Sequence, residues 1–123
     1  MVAFDSSPRS TAMTQGHHMP MDARLFAHPR LEITAAIARR AGISFRMLCQ
    51  ELGLTDGNLS AHLRALETES VIAVDRGFDG RRRLSQYRLT DAGRARLEAY
   101  LRWVERFAGT LLPLLSGEAA SEQ

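Results

Sequence analysis

Residues 44–69, SFRMLCQELGLTDGNLSAHLRALETE, form the stretch of the chain that decides its fold. Ser44 and Thr55 are both suitable helix N-caps, and each is followed by apolar residues at helical spacing. Gly53 and Leu54 leave room only for a tight turn between the two helices. Two short helices joined by three or four residues, with a glycine in the turn, are typical of a helix-turn-helix.

A basic hairpin is predicted directly after this motif. Past Ser70 the spacing of apolar residues changes from about 3.6 to about 2, so residues 71–74 and 84–89 are predicted to be strands. Residues 76–83 between them contain Asp-Gly and three consecutive arginines, and they are predicted to be a turn. Segment 76–88 has a formal charge of +4, which exceeds the +2 of the whole chain.

The predicted fold class is mainly α with a small β hairpin (α+β), a winged helix-turn-helix with a long C-terminal helix. The pattern from Asp22 onward predicts a helix after Pro29 that ends at Gly42. The predicted divisions are a flexible N-terminal arm at 1–20, a winged helix domain at 21–90, a dimerisation helix at 91–115 and a disordered tail at 116–123.

The composition narrows the class of protein. With 45% apolar and 24% charged residues, 123 residues suit one folded domain and exclude a disordered chain, a fibre and a disulfide-stapled toxin. The single cysteine, Cys49, cannot close an intrachain disulfide, and the first residues do not resemble a secretory signal. The longest apolar run, 111–115, is too short to cross a bilayer, so we expect a cytoplasmic protein without membrane contact.

The C-terminal helix is predicted to form a dimer interface. Its apolar residues follow heptad-like steps with aromatic residues beside them, and a helix apolar on two faces can use one for a partner. A helix packed wholly within one protomer is the alternative. Pro113 is expected to end or kink this helix near Leu112. The candidate interface residues are Leu97, Tyr100, Leu101, Trp103, Val104, Phe107, Ala108 and Leu111.

A helix-turn-helix with a basic wing favours contact with double-stranded DNA. Recognition helices enter the major groove, where asparagine suits adenine and arginine suits guanine or phosphate. The N-terminus of such a helix can also meet a phosphate. Candidate contacts on the second helix of the helix-turn-helix, about 55–69, are Thr55, Asp56, Gly57, Asn58, Ser60, Ala61, His62 and Arg64. Candidate contacts on the wing, about 76–84, are Arg76, Phe78, Arg81, Arg82 and Arg83.

Three segments resemble a known family. Residues 55–67 (TDGNLSAHLRALE), 77–82 (GFDGRR) and 87–93 (YRLTDAG) resemble small single-domain bacterial winged-helix regulators of the MarR and ArsR-like class. The resemblance covers about residues 28–100. It implies a homodimeric transcriptional regulator, with the helix in the major groove and the wing on the backbone or minor groove. A two-fold dimer predicts a pseudo-palindromic operator.

Several residues, and the fold itself, are also compatible with other roles. His62 is as compatible with packing or phosphate contact as with base reading, and Cys49 is either a small core residue or a redox switch. The His17-His18 pair lacks enough nearby ligands for a metal site, and we expect no metal or other cofactor and no enzyme activity. The alternative function is a winged-helix protein-interaction module. An unidentified small-molecule or protein effector is compatible with either reading, with Phe26 and Trp103 as a candidate region.

Overall fold

The computed structural model describes residues 21–117, which form four α-helices and a three-stranded antiparallel sheet. After a 3-10 turn at Met21–Ala23, the helices are α1 (Arg30–Arg39), α2 (Phe45–Leu52), α3 (Asp56–Thr68) and α4 (Asp91–Ser116). The strands are β1 (Ile43–Ser44), β2 (Ile72–Asp79) and β3 (Arg82–Leu89), in the order β1-β3-β2. This arrangement is the predicted winged helix-turn-helix. The predicted N-terminal arm, with His17-His18, and the tail from residue 118 lie outside the described residues.

Both predicted caps of the helix-turn-helix are present. The Ser44 hydroxyl oxygen accepts a hydrogen bond from the Met47 N–H at 3.1 Å, and the Thr55 hydroxyl oxygen accepts one from the Asn58 N–H at 3.1 Å. Each cap satisfies a backbone donor that a helix leaves free in its first turn. Gly53 ends α2 with a φ of 67°, a left-handed conformation that suits glycine, so the turn is as tight as the sequence predicts.

One core holds the helices and the base of the hairpin together. Leu59, Leu63 and Leu66 are buried on the inner face of α3, as their spacing predicts. They join a single apolar cluster with residues of α1, α2, the sheet and the first turns of α4, including Ile33, Ile37, Leu48, Ile72, Tyr87 and Leu97. The outer face of α3 is therefore left to solvent.

The hairpin has longer strands than the sequence predicts. Residues 76–79 and 82–83, predicted to be part of a turn, are paired strand residues, and only Gly80 and Arg81 connect β2 to β3. Gly80 has a φ of 69°, as a two-residue hairpin turn with glycine first requires. The outer half of the hairpin has no core to face, so its residues lack the alternation that would identify a strand.

Strand β1 is an element that the sequence analysis missed. Ile43 pairs with Tyr87 and Ser44 with Gln86, so two residues before α2 complete the sheet. Two residues are too few to carry a period, and their partners are more than forty positions away along the chain. The pairing fixes α2 directly to the base of the wing.

The start of α4 is locked against the end of α3. The Thr90 hydroxyl accepts a hydrogen bond from the Gly93 N–H at 2.8 Å and lies 3.2 Å from the Val71 carbonyl oxygen. A Cβ on Gly93 would lie 2.0 Å from that same oxygen, so only glycine allows this approach.

An arginine adds a second connection at the same place. The Arg96 guanidinium donates two hydrogen bonds to the Asp22 carboxylate, at 3.0 and 2.9 Å, and one to the Glu69 carbonyl at 2.8 Å. The hydrogen bonds from Arg96 are the main reason that the pKa of Asp22 is lowered. The arginine thereby joins α4 to the residue after α3 and to the turn that precedes α1.

Helix α4 also extends further than expected. It does not end near Leu112 but continues through Pro113 to Ser116, and Gly117 caps it with a φ of 84°. A proline removes the hydrogen bond of its own N–H and crowds the carbonyl four residues earlier, yet a helix can continue beyond it when the next turn is otherwise intact.

Candidate nucleic-acid interface

The first half of α3 presents a polar, exposed face. Thr55 and the exposed residues of α3 are the ones that the sequence analysis chose for the recognition helix: Asp56, Gly57, Asn58, Ser60, Ala61 and Arg64. Leu59 anchors the same turn in the core, which orients these side chains outward. This face carries hydrogen-bond donors and acceptors of the kinds that read base edges and phosphates.

His62 is half-buried at the edge of this face and is held by Arg30. The Arg30 Nε–H donates a hydrogen bond to His62 Nδ1 at 3.1 Å. Burial, followed by the electrostatic effect of the nearby Arg30 guanidinium, lowers the pKa of His62. Because Nδ1 accepts a hydrogen bond, the ring's one proton lies on Nε2, so His62 is a neutral residue that can donate from Nε2.

The wing contains three arginines without an internal partner. Arg76 lies 3.7 Å from the Glu67 carboxylate, and Arg88 lies 3.4 Å from that of Asp75. By contrast, Arg81, Arg82 and Arg83 are exposed and pair with no acidic side chain of residues 21–117. Their charges are therefore available to an external anion.

Arg46 adds a cation that the sequence analysis did not select. It lines a groove of about 340 Å³ together with Ser44, Arg82 and Arg83. The groove lies where the first turn of α2 meets the wing, because β1 pairs with β3 immediately before α2. A basic residue two positions after the Ser44 cap was the available sequence signal, but the contact with the wing depends on the unpredicted strand β1.

Cys49 and Asp56 connect the two helices of the motif. The Cys49 thiol donates to an Asp56 carboxylate oxygen at 3.4 Å. Burial and the neighbouring carboxylate raise the pKa of Cys49 above its ordinary value of 9.0. The thiol is therefore protonated at neutral pH, which is the opposite of the activation that a reactive thiolate needs. One oxygen of Asp56 is occupied by this bond at the start of the candidate recognition helix.

The apolar residues of α4 divide into a packed part and an exposed part. Leu97 is buried, and the Tyr100 ring packs on Phe26 and Trp103 with centroid distances of 5.4 and 6.2 Å. These contacts belong to the protomer's own core. Tyr100 therefore packs against both Phe26 and Trp103, the candidate region for an effector. From residue 101 onward the helix has exposed apolar side chains, namely Leu101, Phe107, Leu111, Leu112, Leu114 and Leu115.

Residues 21–117 contain neither a candidate metal site nor a membrane-spanning helix. Across residues 21–117, no three histidine, cysteine, aspartate or glutamate side chains are arranged to hold a metal ion. No helix in the same range is sufficiently long and apolar to cross a membrane.

Comparison with known proteins gives the family. Residues 30–108 match the family described as winged helix DNA-binding domain, and no curated protein sequence matches the chain. A transcriptional regulator homologue from Pyrococcus horikoshii OT3 is 26% identical, with a TM-score of 0.67 over 74% of this chain and 91% of that one. MarR is 18% identical, with a TM-score of 0.61 over 98% of this chain and 97% of its own. FabT from Streptococcus pneumoniae, solved in complex with DNA, is 15% identical, with a TM-score of 0.55 over 97% and 92% of the two chains. The chain therefore belongs to the winged helix DNA-binding domain family and is a small transcriptional regulator with a MarR-like fold.

Proposed function

We propose that this regulator binds double-stranded DNA sequence-specifically as a homodimer, with α3 in the major groove and the β2–β3 wing on the backbone or minor groove. The proposal rests on two observations: Arg81–Arg83 pair with no acidic side chain of residues 21–117, and α3 presents an exposed polar face. Cations that are not neutralised within the protein attract phosphates and release their counterions. The solved complex of FabT with DNA supports this reading of a shared fold.

Each polar residue of α3 has a role that fits its chemistry. Asn58 suits adenine, Arg64 suits guanine or phosphate, and Ser60 suits either a base or a phosphate. The N-terminus of α3, at Asp56, would face a phosphate with its free N–H groups. His62 would act as a hydrogen-bond donor from Nε2, because Arg30 occupies its other ring nitrogen.

The homodimer is proposed from the exposed apolar surface of α4. A 26-residue helix is about 39 Å long, and its second half has exposed leucines that contact little of the protomer's own core. A groove of about 530 Å³ lies beside it, with Leu89, Leu97 and Leu101 in its wall. The groove is bordered by side chains of both charges, Arg94, Glu98, Arg102 and Glu105. A second copy related by two-fold symmetry can therefore place its apolar surface on this one and its charged side chains opposite those of the other sign.

A pair of variants tests the dimer. Leu101→Glu places a charge on the exposed apolar face, whereas Ala99→Glu places the same charge at an exposed position half a helical turn away. Light scattering after size exclusion should give a dimer for the wild type and for Ala99→Glu and a monomer for Leu101→Glu, with helical content unchanged. A monomeric wild type, or a dimeric Leu101→Glu, would contradict the proposed interface.

Selection of bound fragments from random duplex DNA tests the function itself. A homodimer should enrich an inverted repeat whose half-sites are about ten base pairs apart, or a multiple of that distance. Failure to enrich any sequence would contradict sequence-specific binding. It would favour the alternative of a protein-interaction module, in which the wing arginines meet an acidic protein surface.

A further inference from the structure

The wing contains an exposed aromatic side chain, Phe78, that has no role in the phosphate contacts proposed for the arginines. Phe78 is 70% exposed near the tip of the hairpin, and it is the one aromatic residue in segment 75–86. Its partner across the hairpin is Arg83, the turn provides Arg81, and the first residue of β3 is Arg82. A large apolar ring that is mostly exposed among these charged side chains contributes little to the core.

The register of the hairpin fixes the face on which Phe78 lies. Val74 pairs with Tyr87, Arg76 with Ser85 and Phe78 with Arg83, so these residues share one face of the two strands. Tyr87 is buried in the core, and Arg76 approaches Glu67 of α3, so this face is turned toward the helical body. Phe78 is therefore on the side of the wing that faces α3, but it lies beyond the reach of the core.

A groove lies beside the Phe78 ring. Its volume is about 250 Å³, and Arg76, Phe78, Arg83 and Leu84 are among its lining residues. An apolar side chain with arginines lining the same groove matches a DNA minor groove, where phosphates border an apolar stack of bases.

We propose that Phe78 is a wedge that enters the minor groove and partly unstacks one base step, while the flanking arginines contact the phosphates on either side. This inference rests on the proposed DNA-binding function and adds a source of specificity to it. Apolar wedges kink the duplex by about 20–90°. Pyrimidine–purine steps are the most easily unstacked, so the wing selects such a step through its deformability rather than through hydrogen bonds.

DNA bending provides the direct test. Energy transfer between dyes at the two ends of the selected operator is measured with saturating protein, for the wild type and for Phe78→Ala, Phe78→Leu and Arg81→Ala. The wild type should kink the operator by at least about 20°. Phe78→Ala should abolish the kink and Phe78→Leu should retain part of it. Arg81→Ala should weaken binding and leave the bend of the bound DNA unchanged, which makes it the matched control.

Repeating the selection with Phe78→Ala gives a second readout. The wild type should enrich TA or CA/TG steps at the position of the wing, and the variant should lose this preference while it retains the half-site contacts of α3. Because Phe78 is exposed, the variant should melt at the same temperature as the wild type.

The outcomes separate the wedge from the function on which it rests. A wild type that binds the selected operator no better than a shuffled duplex overturns the proposed function and the wedge with it. A wild type that binds selectively while Phe78→Ala bends DNA equally overturns the wedge alone. Binding of the wild type without any bend does the same.

Discussion

Replacing Gly93 with alanine tests how firmly the start of α4 is fixed to the chain at Val71, just after α3. The added Cβ would lie 2.0 Å from the Val71 carbonyl oxygen and 2.7 Å from the Val71 carbonyl carbon, whereas ordinary contact begins near 3.4 Å. The atoms in the way belong to the backbone, so no side-chain rotation can relieve the clash. Either the start of α4 or the chain at Val71 must move.

The magnitude follows from two opposing terms. Overpacking typically costs about 1–3 kcal/mol, and backbone atoms place this site near the upper value. Alanine gains up to about 1 kcal/mol over glycine in a helix. The net loss should therefore be about 2 kcal/mol, which corresponds to a fall in Tm of roughly 8–16 °C for a domain of this size.

Gly109 provides the matched control in the same helix. It is exposed, and nothing lies within 4 Å of an added Cβ. Gly109→Ala should therefore stabilise the protein by about 0.5–1 kcal/mol. Urea unfolding followed by circular dichroism gives both values, at one protein concentration because the stability of the proposed dimer would depend on concentration. A Gly93→Ala variant within about 0.5 kcal/mol of the wild type, which is ordinary scatter for a surface change, would refute the packing argument.

Three further predictions concern the wing, α3 and the Asp22–Arg96 pair. Replacing Arg81–Arg83 with alanine should weaken binding to every duplex and flatten the plot of log affinity against log salt by about 2.7 units per protomer, measured by fluorescence anisotropy; an unchanged slope would exclude the wing from the mechanism. Asn58→Ala should relax the preference at particular base pairs by about 1–3 kcal/mol in a repeated selection, whereas an identical selected sequence would make Asn58 a scaffold residue. Asp22→Asn should lower the free energy of unfolding at neutral pH, because Arg96 holds the pKa of Asp22 below its ordinary value of 3.8. A lowered pKa in the folded state gives stability that is present above the unfolded pKa and is lost as the pH falls through the folded pKa, so the gap between variant and wild type should close under acid conditions. A gap that stays constant through that range would contradict the role of the pair.

Much of the fold could be predicted because its signals are local. The caps at Ser44 and Thr55, the left-handed Gly53 and the leucine spacing of α3 all lie within one or two helical turns. The change of apolar spacing past Ser70 predicted the hairpin directly after this motif, and the family match confirms the winged helix. Because that family consists of DNA-binding proteins, the expectation that the chain is not an enzyme is also confirmed.

The features that escaped prediction depend on contacts between distant residues. Strand β1 exists through its pairing with β3, and the close approach of Gly93 to Val71 depends on the packing of α4. The same is true of the bond from Arg30 to His62, which spans 32 positions. None of these contacts leaves a period or a motif in the sequence.

The sequence predicted which residues form the candidate site, but not their ion pairs or the position of the proton on His62. The sequence identified the arginines of the wing, yet only the structure separates Arg81–Arg83, which lack an acidic partner within residues 21–117, from Arg76 and Arg88, which have one. It also identified His62 without fixing its proton, which the contact with Arg30 assigns to Nε2.

The most direct test of the central claim is an anisotropy titration of the wild-type protein with its selected operator and with a shuffled duplex of the same composition, at two salt concentrations. Sequence-specific binding predicts that the operator binds at least about 10³-fold more tightly than the shuffled duplex and that both affinities fall steeply with salt. Equal affinity for the two duplexes would contradict it, because the wing would then attract DNA without α3 reading any sequence.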